Sequence, residues 1–202
     1  MRKLLGIFSL VLFSSAMAVG QMTPVGPKKD DKKTTETKKV TVQSLTLPDG
    51  YDAGQVTGDI KNGTVLSSLR WAERSSVACF PGTRFEQFNG NHVFYRITLP
   101  AASRIKIEMV PKDGAKINLY ALRQNMRSQT VPPDVTRAVS CEAKYPIYAN
   151  LGSGRRVSNK DDGTRKIEYI SVSSAYSILI GVAGAEGLTE GAFDLKIEIK
   201  SR

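Results

Sequence analysis

The sequence predicts an all-β fold, an antiparallel β-sandwich, and three observations support this prediction. Apolar residues recur with a period of two in several runs, turn dipeptides and prolines separate the runs, and no window of comparable length shows the 3.6-residue period of an amphipathic helix. Short strands separated by turns are typical of two packed antiparallel sheets. The chain has 202 residues, of which 41% are hydrophobic and 24% charged, a globular composition.

The first 18 residues have the three parts of a secretory signal peptide. Arg2 and Lys3 give a positive start, residues 4–13 are mostly apolar, and small residues follow up to Ala18. The apolar run is shorter than the ~20 residues that a membrane-spanning helix needs, and no later stretch is apolar enough. We expect cleavage after Ala18, no transmembrane segment afterwards, and a mature protein that is periplasmic or secreted.

Residues 19–45 predict a disordered, basic linker that tethers the folded domain. They contain no aromatic residue and nothing that could bury an apolar face. One interpretation of their lysines is a solvated spacer, and the other is docking on an anionic lipid or envelope polymer. Nucleic acid is not expected as a partner despite the net charge of +10, because single-strand binding needs aromatic side chains beside the charge. The six lysines are Lys28, Lys29, Lys32, Lys33, Lys38 and Lys39.

Residues 46–202 form the predicted sandwich domain. Apolar and polar residues alternate in four runs, and each run should form a strand that buries its apolar face. The residues of these faces are Val93, Tyr95, Ile97 and Leu99, then Ile105, Ile107 and Met109, then Tyr176, Ile178, Ile180 and Val182, and finally Phe193, Leu195, Ile197 and Ile199. Strand signals are weak in residues 123–157, where a long irregular excursion is expected.

Three dipeptides between these runs accept positive φ angles. They are Asn62-Gly63, Asp113-Gly114 and Asp162-Gly163. Dipeptides of this type tighten β-hairpins, so each is expected to join two paired strands.

Cys79 and Cys141 are the two cysteines of the chain, and in an exported protein we expect them to form a disulfide. Closing this loop would stabilise the fold by roughly 4 kcal/mol on the chain-entropy argument. The alternative is a catalytic thiol. That thiol would need a base, and His92 is the only histidine of the chain.

The order of the strand motifs resembles the bacterial pre-peptidase C-terminal domain family. The resemblance lies in residues 94–100 (FYRITLP), 104–108 (RIKIE), 115–122 (AKINLYAL), 176–182 (YSILIGV) and 191–197 (GAFDLKI), with 54–60 (GQVTGDI) similar to that family's first strand. It implies a jelly-roll-like sandwich that serves exported enzymes as an accessory or binding module. Some relatives bind calcium through acidic side chains, but the corresponding positions here read Lys116 and Asn118, which argues against an inherited calcium site.

The sequence predicts no catalytic, metal or cofactor site. Asp161-Asp162-Gly163 has no EF-hand register and is expected to be a turn. His92 begins an alternating run after a turn, so it is expected to be exposed or to lie at a strand end. One histidine and two cysteines are too few for a zinc finger or zinc ribbon, and the sequence has no Gly-x-Ser-x-Gly nucleophile elbow. A binding site remains possible. Its candidate aromatic residues are Trp71, Tyr145 and Tyr148, which could instead pack on the sheet.

The sequence therefore favours an exported, non-catalytic binding module, for adhesion or scaffolding, in the bacterial envelope or extracellular space. Its expected partner is another envelope or secreted protein, or a polysaccharide. The alternative from another class is a small secreted hydrolase with a carboxylate active site, which would show two convergent carboxyls with raised pKa in a deep pocket. A third option, a protease inhibitor or prodomain-like chaperone, would present a long ordered loop at one end of the sandwich.

Overall fold

A computed structural model of the chain describes residues 40–49, 52–146 and 161–202. The predicted signal peptide, the linker up to residue 39 with its six lysines, and Tyr148 lie outside these residues. Within them the chain has ten strands and three short 3₁₀ helices, which span Ile60–Asn62, Arg70–Glu73 and Gly82–Phe88. The strands are β1 (Val42–Ser44), β2 (Ala53–Asp59), β3 (Thr64–Val65), β4 (Asn91–Leu99), β5 (Ser103–Pro111), β6 (Ile117–Asn125), β7 (Ser140–Lys144), β8 (Arg165–Ile170), β9 (Tyr176–Gly184) and β10 (Ala192–Ser201).

The strands form two sheets that pack as a sandwich, which confirms the predicted fold class. A six-stranded sheet has the order β1-β4-β9-β6-β7, with β3 also paired to β4, and a four-stranded sheet has the order β2-β10-β5-β8. Only the β1–β4 pair is parallel among the described strand pairs. The predicted alternation accounts for the interior, because the inward residues of β4, β5, β9 and β10 are buried against each other in one core.

The six-stranded sheet is also buried on its outer face. β9 has no exposed residue and β6 has only its last one. A segment that we call the cover, residues 66–88, packs there and builds a second core that is rich in aromatic residues. A strand buried on both faces needs a nearly continuous apolar sequence, as residues 178–183 of β9 show.

Two short strands lie in segments where the sequence predicted no strand. β1 lies inside the predicted linker: it pairs with β4, the Leu45 amide donates to the Arg96 carbonyl at 2.7 Å, and Leu45 and Leu47 pack on the central core. β7 lies inside the expected irregular excursion, where Cys141 pairs with Leu122 of β6. Both strands are three to five residues long, too short for a sequence period.

The turn dipeptides do not form the expected hairpins. Asn62-Gly63 and Asp113-Gly114 lie between strands of different sheets, β2 with β3 and β5 with β6, and Asp162-Gly163 precedes β8. Asp113, Gly114 and Gly163 do adopt positive φ angles, whereas Gly63 is extended. The dipeptides therefore mark chain reversals, and the reversals lead from one layer of the sandwich to the other.

We expect Leu45→Ala and Leu47→Ala each to lower the free energy of unfolding by about 1–2 kcal/mol, because half-buried leucines lose contacts with the core. Thr46→Ala, between them and exposed, is the control and should change it by less than about 0.5 kcal/mol. Urea unfolding of the three variants measures this. Equal, negligible effects at all three positions would show that residues 45–47 are linker and not part of the fold.

Candidate binding surface

His92 is the second residue of β4 and so lies at a strand end, but it is buried beside the second core and not exposed. It is 1% exposed, and its ring stacks near Phe94. Its Nε2 lies 2.7 Å from the Phe88 carbonyl, which can only accept, so Nε2 carries the proton and Nδ1 accepts from the Tyr120 hydroxyl at 2.9 Å. Burial lowers the pKa of His92 to about 4, against the opposing effect of the Phe88 carbonyl. This neutral, fully bonded histidine is structural.

Of the three predicted aromatic residues, the structure describes Trp71 and Tyr145, and both pack in the second core. Trp71 is 1% exposed and packs between Phe80 and Tyr120, so its assignment as a ligand-binding residue is wrong. It is buried because the cover needs large apolar side chains to shield the outer sheet face. Tyr145 is half-buried and lies edge-on to Phe88.

The disulfide between Cys79 and Cys141 forms as predicted. It joins the cover to β7, an edge strand of the six-stranded sheet, across a Cα–Cα distance of 4.8 Å. The cover is thus covalently fixed to the sheet that it shields.

Asp161 forms an ion pair with Arg165. Its two carboxylate oxygens accept from the Arg165 guanidinium at 2.7 and 2.9 Å, and the hydrogen bond from Arg165 holds the pKa of Asp161 below its ordinary value. Asn118 accepts from Arg165 Nε at 3.0 Å. These groups line a cavity of about 240 Å³, and the described residues contain no group of three or more histidine, cysteine, aspartate or glutamate side chains that could hold a metal ion.

The outer face of the four-stranded sheet is a shallow depression of about 670 Å³ lined by paired charges. Glu108 lies 2.9 Å from Lys166 and 3.6 Å from Lys196, and the hydrogen bond from Lys166 lowers the pKa of Glu108. No aromatic side chain lines this depression among the described residues, so it offers no stacking platform for a sugar. The alternating charges neutralise one another.

Exposed apolar side chains gather instead at one end of the sandwich, which we call the arginine end. It consists of residues 45–49 and 52, 100–102, 126–139 and 171–175, which belong to the connections between strands there, and of residues 201–202. Four of the five large apolar side chains exposed in the described residues lie in these connections or directly before one: Val172 at 70%, and Met126, Val139 and Ile170 at 44% each. Such a concentration makes this end the candidate binding surface among the described residues.

Arg123 connects the two sheets at this end. Its guanidinium lies over the ring of Tyr176 at 5.0 Å and near that of Tyr169 at 5.7 Å. It donates to the Ile170 carbonyl at 3.0 Å, while its own carbonyl accepts from the Val139 amide at 2.8 Å. The backbones of Val139 and Ile170 are therefore both hydrogen-bonded to Arg123, which fixes the positions of their exposed side chains.

The loop of residues 126–139 is held along its length by side chains. Arg96 donates to two of its carbonyls, at 2.6 and 3.4 Å, and Gln124 to one of them at 3.1 Å. From the cover, Arg74 and Ser76 donate to two further carbonyls at 3.0 and 2.6 Å. The accepting carbonyls are those of Ser128, Thr130, Val135 and Thr136.

Sequence reasoning missed the arginine end. Its residues come from separate connections, and the 126–139 loop has no period. One signal was available at Ile170: in β8 the residues Lys166 and Glu168 face outward, and Ile170 is an apolar residue in the same outward register.

The sequence matches no family model and no curated protein. Among solved structures, PliG of Aeromonas hydrophila, a periplasmic inhibitor of g-type lysozyme, is similar at 12% identity over 80% of this chain and 98% of that chain, with a TM-score of 0.43. The pre-peptidase C-terminal domain of a Bacillus anthracis collagenase is similar at 8% identity over 81% and 98%, with a TM-score of 0.35.

A third similar structure is CorA of Methylomicrobium album BG8, a surface-associated copper-binding protein, at 8% identity over 81% of this chain and 98% of that chain, with a TM-score of 0.38. The solved structures thus include a member of the family that the sequence resembles. At these low scores the similarities carry no argument about function. In the described residues no helix is long and apolar enough to cross a membrane.

We expect the stability of the protein to fall between pH 7 and pH 5 partly through His92. In the unfolded chain the pKa of this residue is 6.5 and in the fold about 4, so the unfolded chain binds the proton first and gains about 2 kcal/mol at pH 5. The contribution is fully present above pH 6.5 and is lost as the pH falls towards 4. Urea unfolding of the wild type and of His92→Gln at both pH values measures it. An unchanged pH dependence in His92→Gln would contradict the burial of a neutral histidine.

We expect Arg96→Met to loosen the 126–139 loop without unfolding the domain, because two carbonyls lose their charged donor. Tryptic cleavage after the exposed Arg127 should then accelerate about tenfold. The matched control is Arg104→Met, which removes an exposed arginine paired with Glu168 on the other sheet. Mass spectrometry of the peptide that ends at Arg127 measures the rate, and equal rates in both variants would contradict the restraint by Arg96.

Proposed function

We propose that this chain is an exported, non-catalytic binding module of the bacterial envelope or extracellular space. The proposal rests on the arginine end, where four large apolar side chains are exposed to water. The backbone that carries them is held by hydrogen bonds from Arg96 and Arg123. Such side chains cost free energy in water and are stabilised when a partner covers them. The disulfide supports export, because cysteine pairs persist in oxidising compartments.

The chemistry of the described residues supports binding over hydrolysis. His92 is buried and bonded on both ring nitrogens. The described carboxyls whose pKa departs from its ordinary value all have it lowered by hydrogen bonds to lysine, arginine, threonine or backbone groups. A general acid needs a raised pKa, so these carboxyls favour the ionised state of an ion pair over the protonated state of a catalyst.

The restrained loop of residues 126–139 favours a second candidate function, inhibition of an exported enzyme. A loop that is ordered before binding loses little conformational entropy when it enters a partner's cleft. In this candidate the 126–139 loop, restrained by Arg96 and Gln124, would be the inserting element.

We expect the processed chain, immobilised and exposed to an envelope extract, to retain a defined component through the arginine end. Met126→Asp with Val172→Asp should reduce the retained amount at least about tenfold, because both apolar contacts become charged. Lys106→Gln with Lys166→Gln, on the outer face of the four-stranded sheet, is the control and should retain it fully. Quantitative mass spectrometry of the eluates measures retention.

Equal retention by the two double variants would contradict the assignment to the arginine end. Turnover of an ester, peptide or glycan that a single aspartate or glutamate substitution abolishes would contradict the non-catalytic function. An eluted enzyme that is inhibited by the wild-type chain and not by the Met126→Asp, Val172→Asp variant would select the inhibitor candidate.

A further inference from the structure

β8 is an edge strand of the four-stranded sheet. It pairs with β5 on one side, and no described strand pairs with its other side. The backbone N–H and C=O groups that point away from β5 therefore lack a strand partner, and such a row of groups can pair with another strand. β8 spans Arg165–Ile170 and contains no proline, so each of its residues has an N–H to donate.

The other described edges of the sandwich are shorter or bordered by a connection. β1, β3 and β7, the outer strands of the six-stranded sheet, are two to five residues long. Beside β2, the other edge of the four-stranded sheet, Leu47 and Pro48 pack against Gly54. A partner strand needs several consecutive residues to pair with, and β8 offers six, the length of an ordinary strand.

The outward side chains of β8 have charges of opposite sign. Lys166 and Glu168 lie on the outer face of the sheet, and Ile167 between them points into the core. On the side of β5, Lys166 meets Glu108 at 2.9 Å and Glu168 meets Arg104 at 3.7 Å. The side chains of Lys166 and Glu168 remain 70% and 43% exposed, so both charges can still meet a partner across the free edge.

We propose that the protein forms a two-fold symmetric dimer in which β8 pairs antiparallel with β8 of a second copy. The two four-stranded sheets then join into one sheet of eight strands. The same strand serves both copies, so the contact is isologous and closes at two chains. The proposal concerns a sheet edge and not the arginine end, and it goes beyond the proposed function.

One register of this dimer pairs opposite charges. Residues that face each other in an antiparallel pair project to the same side of the sheet, so outward residues meet outward residues. When Ile167 of both copies lies on the two-fold axis, Lys166 of each copy faces Glu168 of the other. A shift that places residue 166 or 168 on the axis brings two lysines or two glutamates face to face, which is unfavourable. The charges therefore select the register centred on Ile167.

The same register continues the charge pattern of the sheet. Across β10, β5 and β8 the outward side chains of each row alternate in sign. Pairing the two copies in this register places the first row of one copy in line with the second row of the other. Signs then alternate along the whole joined row, and the charges at the free edge have a partner on both sides. The first row is Lys196, Glu108 and Lys166, and the second is Glu198, Lys106 and Glu168.

Antiparallel pairing also sets the orientation of the two arginine ends. β8 runs towards the arginine end in each copy, so in the dimer these ends point in opposite directions. The dimer then holds two partners apart, as a scaffolding module does. This consequence rests on the proposed function, whereas the dimer itself does not. Each copy carries a complete arginine end, so binding there does not require the dimer.

The experiment measures the mass of the processed protein, purified from cells that express the whole sequence, by sedimentation equilibrium from about 1 µM to about 500 µM. The wild type should change from monomer to dimer, and salt should weaken the association. Lys166→Glu and Glu168→Lys should each raise the dissociation constant at least about tenfold, because two cross-strand pairs become like-charged. An equimolar mixture of these two variants should regain the wild-type affinity as a heterodimer, since each lysine of one variant then faces a glutamate of the other.

Matched controls lie on β10, two strands from the free edge. Lys196→Glu and Glu198→Lys reverse the same charges and oppose the same strand, β5, with like charges. Each should change the dissociation constant less than about twofold, because the reversed charge is distant from the contact. Near-ultraviolet circular dichroism verifies the fold of every variant. Hydrogen exchange should slow in residues 165–170 as the concentration rises, and stay unchanged in residues 53–59 of β2.

A wild type that stays monomeric at every concentration would overturn the dimer. So would a mixture of the two β8 variants that fails to associate, or β10 variants that weaken association as much as the β8 variants do. Protection of residues 53–59 in place of residues 165–170 would assign the contact to β2 and also overturn it. Retention of an envelope component by folded, monomeric β8 variants would leave the proposed function standing.

Discussion

The structure depends on the need to bury both faces of the six-stranded sheet. The middle of its central strands, residues 119–122 of β6 and 178–183 of β9, is buried on both faces, so one layer of the sandwich cannot shield them. The cover supplies the missing layer through Trp71, Phe80 and Phe88, and the disulfide holds it to β7. Inside this second core His92 and Tyr120 hydrogen-bond to each other and His92 to the Phe88 carbonyl, whereas the indole Nε1 of Trp71 is buried without a hydrogen-bond partner among the described residues. Removing the cover would expose an aromatic surface that no other described segment could shield.

This requirement decides which residues are free for function. Aromatic side chains are the usual platform for sugars and partner proteins, yet here most of those outside the central core are used to close the outer face of a sheet. The other broad face, on the four-stranded sheet, is covered by lysine and glutamate pairs that satisfy each other. Of the described surfaces, this leaves the connections at the ends of the strands as those with unshielded apolar groups. Their order comes from the same cover, since Arg74 and Ser76 hold the 126–139 loop.

The sequence predicted the central core well, because each of its strands repeats one apolar face over four or more residues. Tyr95, Ile107, Ile180 and Leu195 lie where alternation places them. The second core could not be predicted in the same way, because the aromatic residues of the cover lie in 3₁₀ helices and irregular chain, which have no period. β1 and β7 are set by pairing with a neighbour distant in sequence, which a local pattern does not contain. The arginine end was even less predictable from the sequence, because its residues come from separate connections that share only their position at one end of the fold.

The net charge of +10 misrepresents the electrostatics of the described domain. On the four-stranded sheet the charges alternate across neighbouring strands, as Lys196, Glu108 and Lys166 show, so their fields cancel within a few ångströms. At the arginine end the three arginines are offset by three aspartates, Asp49, Asp52 and Asp134, so this end has no large net charge either. What distinguishes it from the other described surfaces is its exposed apolar side chains, which gain free energy when a partner covers them.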